Sequence, residues 1–463
     1  MTDNNKETPK IGVMESIIIL ILLLLILGYL IIGKQLTPHV PILLAFLLLM
    51  FYGKFRGFSW DTIFEGIIDG ISPGIIPIVI FMMIGVLVAT WLMSGTIPTI
   101  MYYGFQIISA KIFLPAVLIV CTLVAIASGS SLTTVSTMGI AFLGMGGILN
   151  INPAITAGAV ISGAYFGENI SPLSGTANLA AGIGEIDLYD HIKNLLKTDL
   201  IAFIIAMVLY FFIGRSAESV NLSAITEMQT SLKAGFWISP WTLLPVVLLL
   251  FLAWRKIPAV PSMMLGAVLA VIMGKIYNPG VTFKEISNMI MSGYVSNTGD
   301  KAVDALLSRG GLMSMMGAIA LILLALALGG LLIKFNIIEV LIDRTKEAIN
   351  TPFKVIFVTA LSAMGVNFLV GEQFFSLILP GEAFKKSFDR LGVDRKYLSR
   401  TLADAGGSFN SLIPWGVSGT FILGTLKVSA LEYLPYAFFP IIAPILTIIF
   451  GVMISKKTKA KNK

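Results

Sequence analysis

The chain has 463 residues, 56% hydrophobic and 12% charged, with a mean hydropathy of +0.91. This leaves too few polar side chains to clothe a water-soluble domain and places the protein in a lipid bilayer. The single cysteine, Cys121, excludes a disulfide framework and any CxxC metal or redox site. The net charge of +7 sits in short loops and in the terminal SKKTKAKNK stretch, where cytoplasmic orientation accounts for it and no nucleic acid need be invoked.

A hydrophilic decapeptide precedes the first apolar run, Ile17 to Ile32, and no small-residue cleavage site follows it. That run reads as a retained first helix rather than a signal peptide. Since roughly 20 apolar residues cross the hydrocarbon, the sequence predicts full spans near 14–33, 38–52, 73–94, 198–214, 240–254, 258–276, 311–334 and 435–454. Two apolar regions, 112–184 and 354–426, are instead punctuated by Gly, Ser, Thr, Asn and Pro. The expected division is a cytoplasmic tail at 1–13, scaffold helices at 14–110, a first core at 111–215, scaffold helices and loops at 216–353, a second core at 354–454 and a basic tail at 455–463.

The two punctuated regions resemble each other. Gly129, Thr134, Gly139, Ala141 and Phe142 fall on Gly371, Ser376, Gly381, Ala383 and Phe384, and Gly167 and Ser171 fall on Gly407 and Ser411 at an offset two shorter. This pattern suggests an internal duplication. Lys385, Lys386, Arg390, Arg395 and Lys396 follow the second hairpin-like pair, whereas the matching stretch 143–153 carries no charge. The positive-inside rule then makes the repeats inverted. With both termini cytoplasmic the count closes at ten crossings and two re-entrant hairpins, and 277–310 falls outside despite Lys284, Lys301 and Arg309.

Residues 167–178 read GENISPLSGTAN between short apolar helices. A bilayer tolerates such a segment only where protein or a wet cavity meets its freed backbone groups. Pro172 and Gly175 point to an unwound break presenting Glu168, Ser171, Ser174, Thr176 and Asn178, an oxygen set that suits a small cation; the plain alternative is a kink at a helix contact. Residues 404–416, DAGGSFNSLIPWG, form the partner break and offer Asp404, Ser408, Asn410 and Ser411. There the rival to a transport role is an ion pair with Arg400, one helical turn earlier.

The expected hairpin tips are SGSSLTT, with Ser128, Ser130, Ser131 and Thr134, and GEQFFS, with Glu372, Gln373 and Ser376. Glu372 either carries a proton or opposes a cation, or it is a solvated residue at the mouth. Spacings such as Gly329 and Gly330 with small neighbours read as helix packing. His39 and His191 belong to no ligand spacing, and there is no Walker loop, nucleophile or base pair, so the chain reads as neither an ATP-driven pump nor an enzyme. The stretch EIDLYDHIK at 185–193 reads as solvated and interfacial, without a special role.

In order along the chain stand ASGSSLTTVSTMG, GENISPLSGTANLA, SNTG with LLSRGGLMSMM, GEQFFSLILPG and LSRTLADAGGSFNSLIPWG. These five runs resemble the NhaC-type sodium/proton antiporters, a family that includes malate/lactate exchangers within a wider ion-transporter superfamily. The resemblance implies Na+ and H+ as transported ions, no cofactor, a homodimer, and an elevator-type scaffold plus transport unit. The family's first break usually has Asp at the positions of Glu168 and Gly175 and Thr at Ala177. Its second usually reads Glu-Asp-Ser-Gly-Thr, where this chain has Ala403, Asp404, Ala405, Gly406 and Gly407.

The expectation is therefore an all-α polytopic protein of the cell membrane, with two inverted repeats that each hold a re-entrant hairpin and a broken helix. It works as an ion-coupled antiporter. Burial favours the neutral form of a carboxylate, so a cation and a proton can compete for one site. A carrier of a small organic anion or amino acid is the alternative, favoured by the small residues around the second break; a channel is a more distant one.

Overall fold

The computed structural model describes residues 9–107, 112–215, 222–346 and 349–461. Most of the expected tail 1–13 and the last two residues lie outside it. The described residues are helical throughout, without a strand, as lipid demands of a chain that must satisfy every backbone N–H and C=O within itself.

The first half runs α1 (Val13–Leu27), α2 (His39–Phe55), α3 (Trp60–Ile71), α4 (Ile75–Met93), α5 (Thr96–Ile107) and α6 (Phe113–Ser128). Next come α7 (Ser131–Thr134), continued through a π-turn into α8 (Ile140–Ile148), then α9 (Pro153–Asn169), α10 (Gly175–Gly184) and α11 (Leu188–Arg215). A link through α12 (Leu222–Gly235) leads to α13 (Leu244–Trp254), α14 (Ala259–Tyr277), α15 (Phe283–Ser292), α16 (Lys301–Leu307), α17 (Met316–Lys334) and α18 (Ile337–Lys346). The second half closes with α19 (Pro352–Val370), α20 (Gln373–Arg390), α21 (Arg395–Leu402), α22 (Val417–Leu426), α23 (Ala430–Tyr433) and α24 (Phe438–Lys461).

Among the described residues, eight helices are long and apolar enough to cross a bilayer, including Ser131–Ile148 and Pro352–Val370, which are legs of hairpins. The expected span at 73–94 is the second half of a longer helical run, Trp60–Met93, and that at 198–214 is the end of a 28-residue helix. The expected span at 240–254 continues α12 after an 85° bend. The short helices α5 and α18 are more polar and were not legible as spans. Side chains such as Ile18, Leu22 and Leu25 of α1 and Ile204 and Phe212 of α11 stand exposed, an outward apolar face that only lipid can solvate.

The order of elements repeats. A long helix (α4, α17) leads through a short one (α5, α18) to a hairpin (α6 with α7–α8, α19 with α20), a broken pair (α9–α10, α21–α22) and a long last helix (α11, α24). Each hairpin reverses on a glycine with left-handed backbone, Gly129 at φ +69° and Gly371 at φ +75°, a conformation that costs any residue with a Cβ roughly 1–2 kcal/mol. The spacing of Gly329 and Gly330 is indeed packing: a Cβ on Gly330 would stand 2.2 Å from the Gly66 carbonyl of α3 and one on Gly329 2.5 Å from Val370.

Candidate functional site

Each hairpin tip docks on the break of its own half. Ser171 in the first break donates its hydroxyl to the Ile126 carbonyl at 2.7 Å, and a Cβ on Gly129 would meet the Leu173 backbone at 2.6 Å. In the second, Asn410 donates to the Gly371 carbonyl at 3.2 Å and the Val417 amide to the same oxygen at 2.7 Å.

The first break, Ile170 to Ser174, leaves Glu168 buried near the end of α9, only 8% exposed. Its carboxylate meets the amide and hydroxyl of Ser131, at the start of α7, and the hydroxyl of Thr176. Thr176 in turn contacts the Ser174 hydroxyl at 2.9 Å, and Ser174 caps α10 by accepting from the Ala177 amide. One amide at this tip, that of Ser131, is therefore turned to a carboxylate of the protein itself, the charge that a helix start favours.

Other residues singled out in the sequence have local duties. Ser130 caps α7 through the Thr133 amide, Thr134 donates back to the Ser130 carbonyl at 3.0 Å, and Ser128 accepts from the Ser130 amide. Asn178 is exposed and donates to the carbonyls of Pro172 and Ser174. None of these lies among the Glu168 contacts.

The second break, Ile413 to Gly416, is organised around an amide that the sequence reading did not single out. Asn367, on α19, donates to the carbonyls of Ala405 and Gly406 and accepts from Ser376 at 2.7 Å and Asn410 at 2.8 Å. Asn410 in turn accepts from the Ser418 amide at 3.1 Å. Glu372 is buried, and one of its oxygens accepts from the amides of Phe374 at 2.6 Å and Phe375 at 3.2 Å, so its carboxylate caps α20 instead of standing at a solvated mouth. The adjoining Gln373 keeps a buried side-chain oxygen without a partner. Ser411 donates to the Ser408 carbonyl at 2.9 Å, and its own carbonyl accepts from the Tyr433 hydroxyl.

A third cluster joins the halves. Asp404 is fully buried; it accepts from Thr447 of α24 at 2.6 Å and from Asn169 of α9 at 3.4 Å. Asn169 also donates to Asp199 of α11 at 3.0 Å and accepts from Ser408 at 3.2 Å. Asp199, equally buried, is within hydrogen-bonding reach of Asp404 itself. Sequence reading absorbed Asp199 into an apolar span; the signal available was a lone carboxylate in the run KTDLIAF, expensive in lipid unless it has a role.

Arg400 is 1% exposed and lies near both aspartates, but its Nε and Nη2 bond neither, and the guanidinium stacks 5.2 Å from the Tyr397 ring and 5.9 Å from that of Phe450. The expected rival, a plain Arg400–Asp404 ion pair, is thus replaced by a cation facing two carboxylates at longer range.

The stretch 185–193 is also more than a solvated connection. Glu185 pairs with Lys385 at 2.8 Å and with Arg395, which holds its carboxyl below the usual carboxylate range. His191 is wholly buried and hydrogen-bonds Ser399. Both contacts tie the first half to the second.

Such buried carboxylates beside unwound helix breaks are the equipment of an ion-coupled carrier, and the comparisons with known proteins agree. The chain is 39% identical over 456 residues to the Na(+)/H(+) antiporter NhaC of Alkalihalophilus pseudofirmus, covering 98% of this chain and 97% of that one. It is 35% identical to the arginine/ornithine antiporter ArcD of Halobacterium salinarum, over 85% of this chain and 82% of that one. Its identity to the malate-2H(+)/Na(+)-lactate antiporter of Bacillus subtilis is 32%, over 94% of both chains. Residues 163–453, from the middle of α9 to near the end of α24, match the Na+/H+ antiporter family, and the chain belongs to that family of membrane transporters.

Proposed function

We propose that this protein exchanges Na+ for H+ across the cell membrane, with Glu168 as the cation-binding carboxylate and the Asp404–Asp199 pair as the seat of the proton. The observation that carries this reading is the separation of two buried acidic centres by one side chain, Asn169, which follows Glu168 in sequence and touches both aspartates. The oxygens of Glu168, Ser131, Ser174 and Thr176 offer a hard, compact ligand set for a small cation. Ionised carboxylates only accept hydrogen bonds, so two carboxyls in contact hold a proton between them. When Na+ arrives at Glu168, its charge acts through Asn169 on that proton. A shift in either direction is then felt at the other centre.

The repeated order of helices supports two inverted repeats, with both termini cytoplasmic. Both hairpins and both breaks would move as one transport unit against a scaffold, in a homodimer. Cysteines introduced at Ile148 and Arg390 test the inversion by labelling from opposite sides. A second reading, exchange of a small organic anion or an amino acid together with Na+ or H+, draws on the relatives named for arginine, ornithine, malate and lactate.

The deciding experiment is proton movement in proteoliposomes after a Na+ pulse. A signal without any organic solute supports simple Na+/H+ exchange. A signal that appears only with malate, lactate, arginine or ornithine replaces it with the organic exchanger.

A further inference from the structure

Apart from the acidic centres, the molecule holds a cavity of about 310 Å³ with the opposite charge. Its walls come from α4 and the turn that leads into α17 on one side, from α8 and the end of α22 on the other, and from the segments 292–295 and 308–310. Arg309 and Lys427 both line it, and no Asp or Glu does. The Nη1 of Arg309 is buried without a hydrogen-bond partner, and so is the hydroxyl of Thr425, a residue only 4% exposed. Lys427, at φ +61°, ends α22 and presents its charge where the helix C-terminus already welcomes a cation.

Two cations facing one cavity repel each other, as Arg309 and Lys427 do here. A partly buried guanidinium without an acceptor is costly, and its planar fork is shaped for a carboxylate. The loop that delivers Arg309 is itself built. Asp304 accepts from the Thr298 amide at 2.7 Å, the Thr298 hydroxyl at 2.8 Å and the Ser296 hydroxyl at 2.7 Å, and Ser308 accepts from the Ser296 amide at 3.0 Å. The loop that carries Arg309 is therefore held in place by neighbours that do not neutralise that cation.

We infer that this cavity is a binding site for a small organic carboxylate, held by Arg309 and Lys427 with Thr425 donating a hydroxyl. The volume is at the lower end for small-molecule sites, too large for one halide ion and suited to a short acid. The site is distinct from the oxygen cluster at Glu168. Because its two walls belong to elements on either side of the proposed scaffold boundary, an anion bound there bridges them. The inference does not depend on Na+/H+ exchange: it concerns binding, and it stands or falls with Arg309 and Lys427.

The test is thermal unfolding of the purified full chain in neutral detergent, titrated with malate or lactate at constant ionic strength against chloride and phosphate. A saturable rise in Tm with malate or lactate, beyond that with chloride or phosphate, is expected. In Arg309→Gln and Lys427→Gln the apparent affinity should fall roughly tenfold or more, the size of one lost charge-assisted contact. Lys427 is exposed, so its variant keeps the test valid if Arg309→Gln fails to fold, and Arg309→Lys should recover part of the response. The Glu168→Gln variant should bind malate as the wild type does, whatever happens to its transport. The inference is overturned if phosphate or chloride stabilises as well as the carboxylates, if no anion stabilises the wild type, or if Lys427→Gln and every folded Arg309 variant respond unchanged.

Discussion

The two hairpin–break pairs share a backbone plan and differ in where they place charge. In the first, the hairpin tip carries Ser130 as its helix cap, and the carboxylate, Glu168, lies in the broken helix against that tip. In the second, the tip carries the carboxylate, Glu372, which is consumed as a helix cap, and the break is filled by the neutral amides Asn367 and Asn410. The acid of the second half, Asp404, lies further back along its helix and finds its partner, Asp199, in the first half. Similar scaffolds thus do unlike work: the neutral amide network closes the second break, while the first retains an acid whose contacts are hydroxyls and one amide. This difference teaches that repeat symmetry constrains backbone reversal, where only geometry matters, and leaves charge free to concentrate on one side.

The largest expected effect sharpens that asymmetry. Glu168→Gln should reduce Na+-driven proton flux by about two orders of magnitude, the scale of removing one partner from a buried charge site. Glu372→Gln should cost stability and leave Na+ affinity nearly unchanged, read as Na+ dependence of flux in proteoliposomes. Equal losses of Na+ affinity in both variants would break the comparison.

Next in size is the bridging pair. Asp199→Asn and Asp404→Asn should each lower flux roughly tenfold or more and alter its pH profile. The double variant should be little worse than either single, because the pair acts on one proton. Additive losses would show two independent sites.

The glycine turns should differ more modestly. Gly129→Ala sets a Cβ 2.6 Å from the Leu173 backbone, whereas at Gly371 the closest approach is 3.3 Å. Both variants pay the left-handed penalty of roughly 1–2 kcal/mol, and Gly129→Ala should lower the Tm further. The reverse order would mean that the first tip is the looser of the two.

Smallest is a pH effect outside the membrane-spanning helices. Hydrogen bonds from the Thr298 amide and its neighbours hold the Asp304 carboxyl below its usual range. Its stabilisation of the 296–308 loop is therefore complete above the unfolded value of about 3.9 and fades as pH falls through the lower folded value. Asp304→Asn should loosen the loop to protease at neutral pH as acid does in the wild type.

By itself the sequence determined the solvent and the helical class, placed both breaks and singled out the carboxylates Glu168, Asp404 and Glu372. These follow from local chemistry: apolar runs, Pro and Gly punctuation, and acids too costly in lipid to be idle. Tertiary structure alone decided what each acid does. Glu372 is a cap because its own helix turns its amides toward it, and Asp404 is half of a pair because α11 brings Asp199 across from the other half. Asn169 and Asn367 are amides that only packing gives significance, since a neutral side chain shows nothing of the partners that a segment thirty or more residues away will offer it.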